Sequence, residues 1–210
     1  MIREVLVPDP WRSLAIVLVM GLLGSLGGML TGPSSEPLFR TPPASDSRLR
    51  ETPQTALLKL EDVLPLSASL EIRPVEDPPD VPPEEGGPNY QEWGRAERHR
   101  AAFWRPDVSA ELGAPIEVHS ETTLYKDAAG AQRAFTYWTN RVAPTGSAVA
   151  LSLPADQAAA FTVEAGPFTH QWVQFRQANG VGFLLVTGLA GHNPPEPAAD
   201  LAKTMAERMR

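Results

Sequence analysis

Two runs joined by Asn179-Gly180 constrain this chain more than any other feature: Thr169 to Ala178 (THQWVQFRQA) and Val181 to Gly188 (VGFLLVTG). Asn-Gly tolerates the two positive φ angles of a type I′ turn, and the flanks are β-branched, aromatic and aliphatic, so the sequence predicts a β-hairpin. Closure by those two residues pairs Ala178 with Val181, Phe175 with Leu184 and Val173 with Val186. These make one apolar face. The other face carries Trp172, Gln174, Arg176, Phe183, Leu185 and Thr187, which is amphipathic rather than solvated, so a helix, a loop or a partner is expected to cover part of it.

The surrounding elements follow from the same kind of periodicity. Leu66 to Val75 (LSASLEIRPV) alternates apolar and polar residues and predicts a half-buried strand ending at Pro74. Ile116 to Tyr125 is a second strand, rich in β-branched and aromatic residues. Asp127 caps a helix through about Val142, with Ala131, Phe135, Trp138 and Val142 on its buried face, and Pro144 and Gly146 end it. Phe161 to Ala165 is a short strand. Pro197 to Arg210 is a helix with Pro in its first turn and a stripe of Leu201, Met205 and Met209 suited to docking on a sheet. Thr55 to Glu61 fits a short helix or a strand, and Arg95 to Arg105 (RAERHRAAFWR) likewise fits both periods.

Upstream, Ser13 to Ser35 carries no charge. As a helix, Leu14 to Thr31 spans about 27 Å, close to the roughly 30 Å of bilayer hydrocarbon. The expected layout is a cytoplasmic N-terminus (1–12), a transmembrane anchor or signal (13–31), a Pro-rich linker (32–54) and an extracytoplasmic domain (55–210) that includes an acidic, Pro-rich loop (74–89). Arg12 stands at the membrane edge and the next basic residue is Arg40, which orients the N-terminus inwards. Gly24, Gly28 and Gly32 line one helix face, so a homodimer through the anchor is a further expectation.

Composition removes several functions. With no cysteine there is no disulfide, thiolate metal site, catalytic thiol or lipid-modified cysteine. A formal charge of −7 argues against nucleic acid as a partner. The four histidines, His99, His119, His170 and His192, form no H-E-x-x-H pair. Thr145-Gly146-Ser147-Ala148 lacks the frame of a nucleophile elbow, and neither Gly-rich run follows a strand in the way a phosphate loop does. No cofactor, catalytic residue or resident metal is expected.

Trp93-Gly94-Arg95, the run Leu124-Tyr125-Lys126-Asp127-Ala128 with Ala131 and Phe135, the Phe175-Arg176 hairpin ending in Val186-Thr187, and the closing Leu201-Ala202 to Met205 helix resemble a group of bacterial exported or membrane-anchored proteins. Their layout is similar to the PsbP-like domains of extracytoplasmic lipoproteins and of membrane-kinase sensor regions. The resemblance implies an α+β class: an antiparallel sheet packed by two main helices in an α/β/α layout, preceded by one N-terminal transmembrane helix. It also implies that residues 95–105 form a strand. It carries no chemistry with it.

A basic and aromatic island in an otherwise acidic domain (Trp93, Arg95, Arg98, Arg100, Trp104, Arg105) supplies the candidate site. In a strand, Arg98, Arg100 and Trp104 share one face. Arginine beside tryptophan suits an anionic small molecule or an envelope partner protein. Three guanidinium groups on a core face are costly unless paired, so that face is expected to be open or matched by carboxylates. The expected function is a membrane-tethered extracytoplasmic module for binding, sensing or envelope assembly. The alternatives are a small envelope enzyme, a metal-assisted hydrolase using His99 and His119 with neighbouring Glu, or a structural membrane dimer.

Overall fold

Seven strands pair antiparallel in one sheet: β1 (Glu71–Arg73), β2 (Arg95–Trp104), β3 (Glu117–Tyr125), β4 (Ser147–Ala148), β5 (Gln157–Ala165), β6 (Phe168–Gln177) and β7 (Gly180–Leu189). Their spatial order is β1-β2-β3-β7-β6-β5-β4. This computed structural model describes Leu49 and residues 53–75, 87–108 and 111–210. Among the described residues three α-helices accompany the sheet, α1 (Leu60–Val63), α2 (Ala128–Val142) and α3 (Glu196–Arg208), after a 3-10 turn at Pro53–Ala56.

The central strands are buried on both faces. On one, Val173, Phe175, Leu184, Val186, Val118 and Phe103 form a core with Leu201, Ala202, Met205 and Met209 of the α3 segment and with Leu58 and Val63 of the α1 segment. Arg208 binds the latter to α3: its Nη2 donates to Asp62 Oδ1 at 2.7 Å and its Nη1 to the Leu57 carbonyl at 3.1 Å. On the opposite face, Ala131 and Ala134 of α2 pack on Val181 and Tyr125. Asp127 caps that helix, its carboxylate accepting from Gly130 N–H at 2.7 Å.

The hairpin closes differently from the Asn-Gly expectation. Gln177 opposes Gly180, so Ala178 and Asn179 make the turn, and Val173 opposes Leu184 instead of Val186. The register moves by two residues, and because side chains alternate with period two every one keeps its expected face. Two contacts select this register. Asn179 Nδ2 donates to the Tyr125 carbonyl at 2.7 Å, its Oδ1 accepts from Leu49 N–H at 3.0 Å, and its own carbonyl accepts from Tyr125 N–H at 2.9 Å. Gly182 lies directly opposite Phe175, and a Cβ there would collide with that ring, so the glycine is the seat for the aromatic side chain. The turn is strained: Ala178 has φ +50, left-handed space that a Cβ disfavours.

Several expectations need correction. The α+β, α/β/α layout of PsbP-like type gives way to a mainly β fold, a seven-stranded sheet in which the helices are subsidiary. The sequence underestimated the strands: β5 begins at Gln157, and β4 adds an edge. Leu66 to Val75 is a strand only over Glu71–Arg73, because Leu66 N–H bonds to the Val63 carbonyl and Leu70 N–H to the Ser67 carbonyl, which winds the chain into turns. Among the described residues no helix is long and apolar enough to cross a membrane, so the expected transmembrane helix forms no part of the fold shown. Residues 1–31, with Gly24 and Gly28, lie outside the described residues, as do most of the linker and residues 76–86 of the acidic loop.

Asn179→Ala should lower the unfolding free energy by about 2 kcal/mol, because it strands a buried carbonyl and a backbone N–H. Ala178→Gly should instead raise it by about 0.5–1 kcal/mol, the left-handed strain exceeding the added freedom of the unfolded chain. Urea unfolding of both variants measures the two signs.

Candidate functional site

Directly opposed residues of an antiparallel pair share a face, so the registers fix what the α2 side of β1, β2 and β3 displays. Arg100 opposes Glu121, Arg98 opposes Thr123, and Trp104 opposes Glu117. Arg98 Nη2 donates to Glu121 Oε2 at 2.7 Å and Arg100 Nε to the same oxygen at 3.2 Å. Thr123 Oγ1 donates to the other carboxylate oxygen at 3.2 Å. The three charged side chains are 18%, 7% and 16% exposed for Arg98, Arg100 and Glu121. Of the two states expected for this face, the arginines adopt the matched one.

A second ion-pair group lies towards the sheet edge. Arg73 Nη1 is 3.3 Å from Glu117 Oε1, and His119 Nε2 is 2.7 Å from that same oxygen. The Arg73 guanidinium also sits 5.8 Å from the centre of the Trp104 ring. Thus Arg98, Arg100 and Trp104 share one face as expected, and that face adds Arg73, Glu117, His119 and Glu121. Sequence reasoning left Arg73 out and placed His119 and its neighbouring glutamates only in the metal alternative, apart from the arginines. The alternation of Glu117, His119 and Glu121 along β3 was visible, but choosing Glu121 as the partner of both arginines requires the β2–β3 register, which periodicity does not supply.

Tyr90 borders the site. Its ring stacks against the Arg95 guanidinium at 4.0 Å and meets Trp93 edge-on at 5.8 Å. Burial, aided by the negative charge of Glu121, pushes its hydroxyl up to about 12, and the charge of Arg98 and a Trp138 hydrogen bond work in the opposite direction. Burial also raises Tyr125, with Tyr90 and Glu121 adding to the effect. Both phenols stay neutral at physiological pH.

The histidines do not assemble the metal site that the hydrolase alternative needs. His99 opposes Thr122 on the α3 face, whereas His119 opposes Ala102 on the α2 face, so the two rings lie on opposite sides of the sheet. Each has its own glutamate instead, Glu97 for His99 at 3.5 Å and Glu117 for His119 at 2.7 Å. Among the described residues no three His, Asp or Glu side chains converge on a point where a metal ion fits. His170 is buried, with Nδ1 3.0 Å from Thr187 Oγ1. Burial lowers its pKa from the ordinary 6.5, against the opposing pull of Glu117 and Glu164.

Two titrations therefore tie stability to pH. The unfolded chain protonates His170 before the folded chain does, so the stability held above pH 6.5 is lost as pH falls towards the lower folded value. Asp62 adds a second loss at more acid pH. Burial opposes its ionisation, but the Arg208 hydrogen bonds and the Lys59 N–H outweigh burial and hold its pKa below 3.8. The melting temperature is expected to decline on acidification in these two stages, and His170→Asn should flatten the first while leaving the second.

No family model matches this chain, and no curated protein matches it. Among solved structures, the crystal structure of the extracellular domain of PknH from Mycobacterium tuberculosis is similar, with a TM-score of 0.52 and 14% sequence identity over 81% of this chain and 98% of that one. At that identity the likeness is one of fold.

Proposed function

We propose that this domain is a non-enzymatic extracytoplasmic binding module whose contact surface is the α2-side face of β1, β2 and β3, and that its ligand is anionic. One observation carries the proposal: this part of the sheet holds a layer of ion pairs around Arg98, Arg100 and Trp104, only partly exposed. Taking charges out of water is costly, and replacing such a layer by packed apolar residues is often neutral or stabilising. A recognition role accounts for keeping it. Guanidinium groups beside an indole suit carboxylate, phosphate or sulfate groups through charge-assisted hydrogen bonds and stacking. The ligand is a small anion-bearing molecule or an acidic envelope partner.

An extracytoplasmic position is supported by the fold it shares with a bacterial extracellular domain and by the uncharged stretch Ser13 to Ser35 that precedes it. External protease applied to intact cells should cut the domain. Protection in intact cells, with cleavage only after lysis, would refute that position.

Binding is tested by titrating inorganic phosphate while following the Trp104 indole and the Nε–H signals of Arg98 and Arg100 by NMR. Saturable shifts confined to these groups, weakening as salt rises, are expected. Shifts that are absent or spread over the surface would sink the idea. Arg98→Ala with Arg100→Ala should cost about 2–3 kcal/mol of stability by leaving Glu121 without its cations. Adding Glu121→Ala should restore most of that stability without restoring the phosphate response. Full phosphate binding in the triple variant would show that these arginines are purely structural.

A further inference from the structure

Arg105 is the first residue after β2, and its N–H continues the ladder to the Ile116 carbonyl at 2.9 Å. By alternation its side chain points away from Trp104, to the α3 face. Among the described residues it heads the fully buried side chains, at 1% exposure. Its Nη2 donates to the Ala114 carbonyl at 3.1 Å, whereas Nε and Nη1 have no hydrogen-bond acceptor among the described residues. An arginine keeps its charge in a protein, so two unmatched N–H-bearing nitrogens on a buried guanidinium define a place where oxygen ligands are required.

The surroundings say what kind of oxygen. Glu111 Oε2 lies 3.8 Å from Nη1, an ion pair too long for a hydrogen bond. That oxygen instead accepts from the buried hydroxyl of Ser67 at 2.6 Å. The Glu111 side chain is 53% exposed, so the residue that meets the buried cation also reaches solvent. Arg105 and Ser67 thus supply donors to a carboxylate position that opens to water, and Glu111 fills it without satisfying it.

We infer that Arg105 and Ser67 form a carboxylate-binding site in which Glu111 is an exchangeable resident, displaced by the carboxylate of a small organic acid. The incoming group takes the Ser67 hydrogen bond, reaches the Arg105 Nη1 that Glu111 leaves unmatched, and releases Glu111 to solvent. The site lies across the sheet from Arg98 and Arg100, so it stands or falls independently of the surface proposed above.

Acetate is the probe, with chloride at matched ionic strength as the control, on the full chain. Glu111→Gln removes the negative competitor but keeps the shape, so its melting temperature should rise saturably with acetate, by about 3 °C near saturation, and not with chloride. The unmodified chain should need several-fold more acetate for the same response. Ser67→Ala in the Glu111→Gln background should move the acetate midpoint several-fold higher. The Arg105 Nε–H resonance of the unmodified chain, followed at acetate high enough to outcompete Glu111, keeps the test independent of whether the variants fold. A shift of that resonance supports the site. An Arg105 signal indifferent to acetate, or equal melting responses to acetate and chloride, would overturn it.

Discussion

Burial of both faces of β6 and β7 is the constraint on which the rest of the structure depends. A strand covered on one side alternates cleanly, but one covered on two sides must find a partner for every polar atom it carries. The buried polar residues Thr169, His170, Gln171, Gln174 and Arg176 of β6 each have one. Gln171 Nε2 donates to the Asn193 carbonyl at 2.9 Å, and the Gln174 amide oxygen receives Thr139 Oγ1 of α2 at 3.4 Å. Arg176 donates to Gln157 Oε1 at 2.9 Å and to the Ala178 carbonyl at 2.8 Å. These bonds tie helix α2, the 190–195 loop and strand β5 to β6. The amphipathic hairpin face seen in the sequence is therefore the face that recruits α2.

The hairpin shows how far sequence reaches. Its strands, its faces and its closeness to Asn179 are legible because they rest on local chemistry. The turn itself is decided at long range, by Tyr125 and Leu49 gripping Asn179 and by Phe175 needing Gly182 opposite it. Those contacts hold Ala178 in a left-handed conformation that no local preference favours. The capped helix after Asp127 and the Met-lined helix at the end were legible for the same local reason, since capping and a 3.6 period are properties of short segments. The strand expected over Leu66 to Val75 failed because alternation alone does not distinguish a strand from successive turns that bury Ser67 and Leu70.

The candidate site was half legible. Arg98, Arg100 and Trp104 share a face as soon as the segment is a strand, but whether that face is open or matched depends on β3. The neighbour turns out to place Glu121 between two guanidinium groups and Glu117 beside Trp104. The same register separates His99 from His119, which in one dimension had looked like possible partners. Pairing across strands thus decides both the ion pairs and the metal question, and it is the quantity that a single sequence carries least of.

The distribution of charge across the sheet carries a last consequence. Arginines at alternate positions of β2 meet the Glu121 carboxylate of β3, whereas Arg105, one residue beyond the strand, points to the opposite side and faces Ile116, which offers no carboxylate. Its carboxylate comes instead from Glu111, outside the sheet, where strand spacing no longer fixes the distance and 3.8 Å results. Inside the sheet, side-chain alternation and strand register set ion-pair geometry together, and Arg98 and Arg100 are held at hydrogen-bonding distance. At its margin only the guanidinium is fixed, and its counter-charge is free to be exchanged. A sheet built this way fixes the geometry of the charges its strands match and leaves its exchangeable carboxylate position where the strands end.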